Sequence, residues 1–126
     1  MSEKVKQPKK KVYVETTVIS DATALPSKDL VLAGRQFVSR EWLDSAKVKY
    51  ELYSSFLVRR ESLKGDPDAA HIATAAINEM DYLVSWNFRH ITNAQTIPLV
   101  KRICETNGYR CPEICTPQML QGGDEP

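Results

Sequence analysis

The most informative part of the chain lies near its start and reads Val12-Tyr13-Val14-Glu15-Thr16-Thr17-Val18. β-Branched and aromatic residues dominate this run, which predicts a β-strand. Apolar side chains occupy both odd and even positions, a two-sided pattern that is typical of a central strand in a parallel sheet. We therefore expect the fold to be built around this strand, with Glu15 and Thr17 near its carboxyl end.

Three further strands alternate with helices along the rest of the chain. The strands are predicted at 50–54, 82–86 and 113–116. Helices are predicted over about 27–47, around Glu61 up to Gly65, over 67–80 and over about 97–107. Because strands and helices alternate, the sequence predicts an α/β fold with a mostly parallel sheet of about four strands.

Two of these helices show a clear apolar face. The first is expected to begin after a Ser27 N-cap and to bury one face, made of Leu30, Ala33, Phe37, Val38 and Trp42. The helix that starts at Pro67 has the most regular pattern, and its small residues favour close packing on the sheet. Its predicted buried stripe consists of Ala69, Ile72, Ala73, Ala76, Ile77 and Met80.

Length and charge limit the organisation of the chain. The 126 residues, 42% hydrophobic and 26% charged, fit one domain, which we place at 12–120. Residues 1–11 carry five lysines and one glutamate and are predicted to form a basic disordered arm, which either contacts nucleic acid or is a solvated tail. Residues 121–126 are expected to be disordered. With no apolar run long enough to span a bilayer and no signal peptide, we expect a cytoplasmic protein without membrane contact.

The three cysteines are expected to be reduced. Their odd number and the absence of a secretion signal argue against a disulfide framework. Cys111 and Cys115 could recruit zinc, but a closed zinc site needs about four ligands. Structural thiols are the better interpretation.

Polar residues cluster where the predicted strands end. Ligands of open parallel sheets bind beyond the carboxyl ends of the strands, so oxygen-bearing side chains at these places are candidate site residues. They are Glu15, Thr17, Glu61, Asp68, Ser85 and Asn87. Clustered carboxylates repel one another unless a cation lies between them, and oxygen ligands favour Mg²⁺ or Mn²⁺. Such ions hold phosphates and activate water, which is the chemistry of phosphodiester hydrolysis.

Several of these residues have simpler interpretations. Asp68 at a helix N-terminus is favourable through the helix dipole alone, and Glu61 could be a solvated helix residue. Asn87 could be a turn residue, and His71 and His90 are interpreted as structural or surface residues. Glu15 is harder to explain in this way, because a carboxylate in a buried strand is costly without a partner.

Three stretches together resemble the PIN-domain nucleases, including the VapC-like toxins of type II toxin–antitoxin pairs. They are Val12 to Ser20, Asp68-Ala69-Ala70-His71-Ile72-Ala73, and Leu83 to Ile91 with its Ser85-Trp86-Asn87 core. The resemblance implies a three-layer α/β/α fold and metal-dependent cleavage of RNA. It also implies Mg²⁺ or Mn²⁺ held by Glu15, Glu61 and Asp68, a catalytic position at Asn87, supporting roles for Thr17 and Ser85, and an antitoxin protein as partner.

The chain departs from the family pattern at two points. Asn87 stands where many members have a fourth Asp. Glu61 and Asp68 are only seven positions apart, where a helix, a strand and another helix usually intervene. We interpret the short spacing as an internal deletion of the edge strand, which leaves the strand order 2-1-4-5. An uncovered edge predicts a homodimer. The alternative function is a catalytically degenerate PIN module that binds RNA or a protein partner without cleaving.

Overall fold

The computed structural model describes residues 8–54 and 67–121. Within these ranges it contains four strands: β1 (Lys11–Val14), β2 (Glu51–Ser54), β3 (Tyr82–Val84) and β4 (Glu113–Cys115). The helices of the same ranges are α1 (Thr16–Thr23), α2 (Leu30–Lys49), α3 (Pro67–Ile77), α4 (Thr96–Thr106) and α5 (Pro117–Gln121). The helix predicted around Glu61 lies outside the described residues.

The four strands form one sheet in the order β2-β1-β3-β4, and all neighbouring pairs are parallel. Val12 of β1 is in register with Leu52 on one side and Tyr82 on the other. The α/β fold is therefore confirmed. The contiguous four-strand order is confirmed as well.

Helices cover both faces of the sheet, because successive residues of β1 point to opposite sides. Val12 and Val14 pack in one buried cluster with Trp42 and Ala46 of α2. Tyr13 belongs to a second cluster, with residues of α3 and α4. The two-sided apolar pattern of the sequence thus produces a three-layer α/β/α structure.

β1 is shorter than predicted. It ends at Val14, and Thr16, Thr17 and Val18 begin helix α1 instead of continuing the strand. Glu15 is the N-cap of this helix, and its side chain accepts a hydrogen bond from the backbone N–H of Thr17. This cap overrides the strand preference of the β-branched residues. The strand also begins one residue early, so Lys11 of the predicted arm lies in the sheet.

The predicted apolar face of α2 is wrong at two positions. Leu30 and Phe37 are exposed, whereas the polar residues Gln36 and Ser39 are buried together with Trp42. Gln36 is buried because its amide group accepts a hydrogen bond from the backbone N–H of Ser27 and donates one to the carbonyl of Leu25. The N-cap is Asp29 instead of Ser27, since its carboxylate accepts bonds from two N–H groups of the first turn.

Helix α3 is rotated relative to the predicted stripe. Ala75 and Ala76 face the core, while Ala69, Ala73 and Ile77 are exposed and line an apolar groove of about 300 Å³ beside α4. The rotation brings His71 into the interior, where it finds a polar partner.

Two expectations about the chain as a whole can be compared with the structure. Cys104, Cys111 and Cys115 are free thiols, as predicted. Among the described residues, no helix is both long and apolar enough to cross a membrane.

Candidate functional site

The candidate site lies at the carboxyl edge of the sheet, meaning the edge at which β1 and β3 end. Glu15 follows β1 directly and is only 4% exposed. Its Oε1 accepts hydrogen bonds from the hydroxyls of Thr17 and Ser85, each at 2.6 Å. Its Oε2 accepts the backbone N–H of Thr17 at 3.2 Å. The position of Glu15 is therefore fixed by α1 on one side and by the residue after β3 on the other.

The hydrogen bonds continue from Ser85 to a second carboxylate. The backbone N–H of Asn87 donates to Ser85 Oγ at 2.9 Å, and Asn87 Nδ2 donates to Asp68 Oδ1 at 3.0 Å. Glu15, Thr17, Ser85, Asn87 and Asp68 thus belong to one connected network. Five of the six predicted site residues come together, and the sixth, Glu61, lies outside the described residues.

The turn after β3 explains how Asn87 is held. Its side-chain Oδ1 accepts the backbone N–H of His90, and its carbonyl accepts those of Ile91 and Thr92. Such bonds to nearby backbone N–H groups are typical of Asn in turns. The predicted turn interpretation therefore applies to Asn87, whose amide nitrogen also extends across to Asp68.

The hydroxyl of Thr17 both donates and accepts a hydrogen bond. It donates to Glu15 and accepts the backbone N–H of Trp86 at 3.0 Å. The indole N–H of Trp86 in turn donates to Ser39 Oγ at 2.7 Å. The hydroxyl of Thr17 therefore ties the site to the turn after β3, while that of Ser39 ties the same turn to α2.

His71 is a residue that sequence reasoning missed. It is 6% exposed, its Nδ1 lies 2.8 Å from the hydroxyl of Tyr13, and its Nε2 lies 3.9 Å from Oε2 of Glu15. The signal that could have found it is its spacing. His71 is three positions after Asp68, so both lie on the same side of α3. The sequence pattern leaves His71 as a structural or surface residue because it lies off the alanine stripe.

The charge of Glu15 is incompletely balanced by the residues that the structure describes. Within residues 8–54 and 67–121, the contact with His71 is the one ion-pair contact of Glu15, and its hydrogen-bond donors are neutral. A buried carboxylate without a cationic partner is costly, so this edge favours an added cation. Oε1 already accepts two hydroxyl bonds, which leaves Oε2 as the better-placed oxygen for a cation.

The donor set of the site agrees with a hard divalent ion. Carboxylate and hydroxyl oxygens are ligands suited to Mg²⁺ or Mn²⁺, whereas Asn87 turns its amide N–H and not its oxygen toward Asp68. Within the described ranges, no group of three or more His, Cys, Asp or Glu is placed to hold a metal ion. The described part of the site supplies two of the three predicted acidic ligands, Glu15 and Asp68.

A different arrangement occupies the amino edge of the sheet, where β1 and β3 begin. Asp81 accepts the backbone N–H of Lys11 at 2.8 Å and pairs with the guanidinium of Arg110 at 3.1 Å. Burial raises the pKa of Asp81, but the Lys11 N–H and the Arg110 charge outweigh it and hold the pKa below its ordinary value. This acid therefore has its cationic partner within the chain.

The chain matches no family model, no curated protein and no solved structure. The similarity to PIN-domain nucleases consequently stays a prediction from the sequence. The fold and the site geometry described above do not depend on this similarity.

Proposed function

We propose that the chain is a divalent-metal-dependent ribonuclease whose active site is the carboxyl edge of the sheet. The observation that carries this proposal is the buried Glu15 carboxylate, held by neutral donors and joined through Ser85 and Asn87 to Asp68. Two acids held at one edge of a parallel sheet favour a cation between them. RNA as the substrate rests on the resemblance to PIN-domain nucleases.

Each residue of the network has a role in this proposal. Glu15 and Asp68, together with Glu61, hold Mg²⁺ or Mn²⁺. Thr17 and Ser85 fix the Glu15 carboxylate through its Oε1. Asn87 orients Asp68 through its amide N–H. A Mg²⁺ or Mn²⁺ ion held by these acids would neutralise phosphate charge and lower the pKa of a bound water, so no covalent enzyme intermediate would be needed.

A cleavage assay tests the proposal. End-labelled single-stranded and hairpin RNAs are incubated with the chain in Mg²⁺, in Mn²⁺ and in EDTA. We expect cleavage in either metal, none in EDTA, and a loss of at least about 100-fold for Asp68→Asn, since a ligand that holds the ion is removed. Asp44→Asn is the matched control, because Asp44 is an exposed acid of α2, away from the site. Cleavage that persists in EDTA or in Asp68→Asn would contradict the proposal.

The second candidate is a degenerate module that binds RNA or a protein without cleaving. It is favoured by the contact between Asn87 and Asp68, because the amide N–H of Asn87 already occupies one oxygen of that carboxylate. Binding of RNA with unchanged affinity in Mg²⁺ and in EDTA, and without product, would support it over the nuclease.

The proposed partners and location also derive from the sequence. An antitoxin protein is proposed from the resemblance alone. A homodimer is proposed from the position of β2 at the end of the strand order, with Glu51 and Ser54 exposed, since an open strand edge invites pairing. Sedimentation velocity tests the dimer, and a monomer at high micromolar concentration would contradict it. A cytoplasmic location is proposed because the three free thiols fit a reducing compartment.

A further inference from the structure

We propose that His71 is a positioning residue that directs a proton on Nε2 toward Oε2 of Glu15 and so holds that oxygen in place for a divalent cation, with Tyr13 fixing the imidazole ring. The inference rests on the proposed function, because it assigns a new role at the same site. Its basis is a line of three buried groups: the Tyr13 hydroxyl, the His71 ring and the Glu15 carboxylate.

The ring of His71 is held from one side. Tyr13 is 1% exposed in the centre of β1, and its hydroxyl lies 2.8 Å from Nδ1 of His71. The two rings meet edge to face, with centroids 5.8 Å apart. A hydrogen bond together with an aromatic contact fixes the orientation of the imidazole, which determines where the opposite nitrogen points.

The position of the proton follows from what each nitrogen faces. Nε2 lies 3.9 Å from a carboxylate oxygen, beyond a direct hydrogen bond but within reach of its charge. A lone pair on Nε2 would face the anion, whereas an N–H there is attracted to it. Nδ1 then accepts the proton of the Tyr13 hydroxyl, a donor at neutral pH.

The hydrogen bonds of Glu15 show why the contact between His71 Nε2 and Oε2 matters. Oε1 is already fixed by two hydroxyls, so the remaining freedom of the carboxylate concerns Oε2, where the Thr17 N–H is a longer 3.2 Å contact. Oε2 is also the oxygen best placed for a cation. Groups that orient a ligating carboxylate in this way typically change metal affinity by about 10–100-fold when removed.

If His71 only filled the core, its substitution would have a different effect on metal affinity. Its Nδ1 would be satisfied by Tyr13, and its loss would change the free energy of unfolding without changing metal affinity beyond the loss of folded protein. The two interpretations therefore separate in metal binding by variants that stay folded.

The first measurement uses the unmodified chain and needs no variant. Long-range ¹H–¹⁵N correlation spectra of the imidazole nitrogens report which nitrogen of His71 carries the proton. We expect a protonated Nε2, and a shift of the His71 nitrogens when Mg²⁺ is added. A neutral ring protonated on Nδ1 alone would overturn the inference.

The second measurement is calorimetric Mn²⁺ titration of three His71 variants. His71→Gln can place an amide N–H near the position of Nε2, so we expect its affinity to stay within about threefold of the unchanged chain. His71→Asn keeps a polar atom near Tyr13 but none near Glu15, and His71→Leu keeps neither. For these two we expect affinity to fall by about 10-fold or more, with folding verified by circular dichroism.

The outcomes distinguish this inference from the proposed function. If the unchanged chain binds Mn²⁺ and all three variants bind equally well, the positioning role is wrong and the metal site stands. If affinity follows melting temperature and not the presence of a donor near Glu15, His71 is a core residue. If the unchanged chain binds no Mn²⁺, both proposals are wrong.

Discussion

The amino edge and the carboxyl edge of the sheet each hold an acid beside β1 and β3. The negative charges of the two acids are balanced by different groups. At the amino edge, Asp81 is paired with the guanidinium of Arg110 and with the N–H of Lys11. At the carboxyl edge, Glu15 is more deeply buried and, within residues 8–54 and 67–121, is held by neutral donors and by a histidine at 3.9 Å. Both acids occupy corresponding positions, one just before a strand and the other just after one.

The difference separates a structural acid from a candidate ligand. Asp81 has a cation and a backbone donor supplied by the chain, so its interactions are complete in the folded state and stabilise the start of the sheet. Among the described residues, Glu15 has neutral donors that fix its position, and the nearest group that can carry a positive charge is His71 at 3.9 Å. A chain that holds a charged group in one place without neutralising it has prepared that group for something that binds.

The largest expected effect comes from Glu15→Gln. The substitution keeps the size of the side chain and removes the charge, so Mn²⁺ affinity should fall by more than about 100-fold, beyond the range of outer-shell changes. The free energy of unfolding should change by less than about 1 kcal/mol, since removing an unmatched buried charge offsets a weakened cap. Calorimetry and urea unfolding measure the two quantities.

Glu41→Gln is the control for this variant, because Glu41 is an exposed acid of α2. It should change neither quantity. A Glu15→Gln protein that loses stability and retains Mn²⁺ affinity would make Glu15 a structural acid like Asp81, and the contrast between the two edges would disappear.

The next effect comes from the hydroxyl of Thr17. Thr17→Val leaves the N–H of Trp86 without its partner and removes a donor from Glu15. Loss of a buried partner should cost about 1–3 kcal/mol in urea unfolding. Because Glu15 also becomes less well fixed, Mn²⁺ affinity should fall by about 10-fold or more.

Ser39→Ala sharpens that result. The substitution removes the hydrogen-bond partner of the Trp86 indole N–H. Trp86 lies in the same turn, but this bond does not involve Glu15. We therefore expect a similar loss of stability with Mn²⁺ affinity unchanged. Equal losses of metal affinity in both variants would show that any disturbance of the turn damages the site.

A smaller effect is expected at the amino edge. Asp81→Asn should lower the free energy of unfolding by about 1 kcal/mol or less at neutral pH, because Arg110 is largely exposed. Since the pKa of Asp81 is lowered in the folded state from 3.8, its contribution is complete above that pH and is lost as the pH falls below it. Unfolding curves of the two proteins should therefore converge between about pH 4 and pH 2. A difference that stays constant over that window would contradict this role.

The smallest effect concerns the thiols, which should be inert in the folded protein. Burial, with the neighbouring Cys104, raises the pKa of Cys111 to about 11, and burial, with Glu113 nearby, raises that of Cys115 to about 12. At pH 8 the thiolate fraction of Cys111 is therefore about one in a thousand, and that of Cys115 is lower still. Colorimetric thiol titration should be slow for the folded chain and rapid in denaturant. Fast reaction of these two thiols in the folded state would contradict their raised pKa values.

Much of the fold follows from the sequence, because burial on both faces leaves a clear pattern. Val12, Tyr13 and Val14 predict a central parallel strand, and the structure confirms it. The predicted end of that strand is wrong, because Glu15 caps α1 through the N–H of Thr17 and is also held by a Ser85 hydroxyl 70 residues away in the sequence. The sequence left His71 as either a structural or a surface residue, because its partner Tyr13 lies 58 residues away in the sequence. Local patterns show which face is apolar, but they do not show where a polar residue finds a partner in the core.

The most direct test of the metal site is a calorimetric Mn²⁺ titration of the unchanged chain beside Asp68→Asn and Asp44→Asn. Asp68 is the second acid of the network, and Asp44 is an exposed acid of α2 that serves as the control. We predict saturable binding by the unchanged chain and by Asp44→Asn, and binding that is at least about 10-fold weaker in Asp68→Asn. Absence of saturable binding, or equal affinity in all three proteins, would contradict a metal site at the carboxyl edge of the sheet.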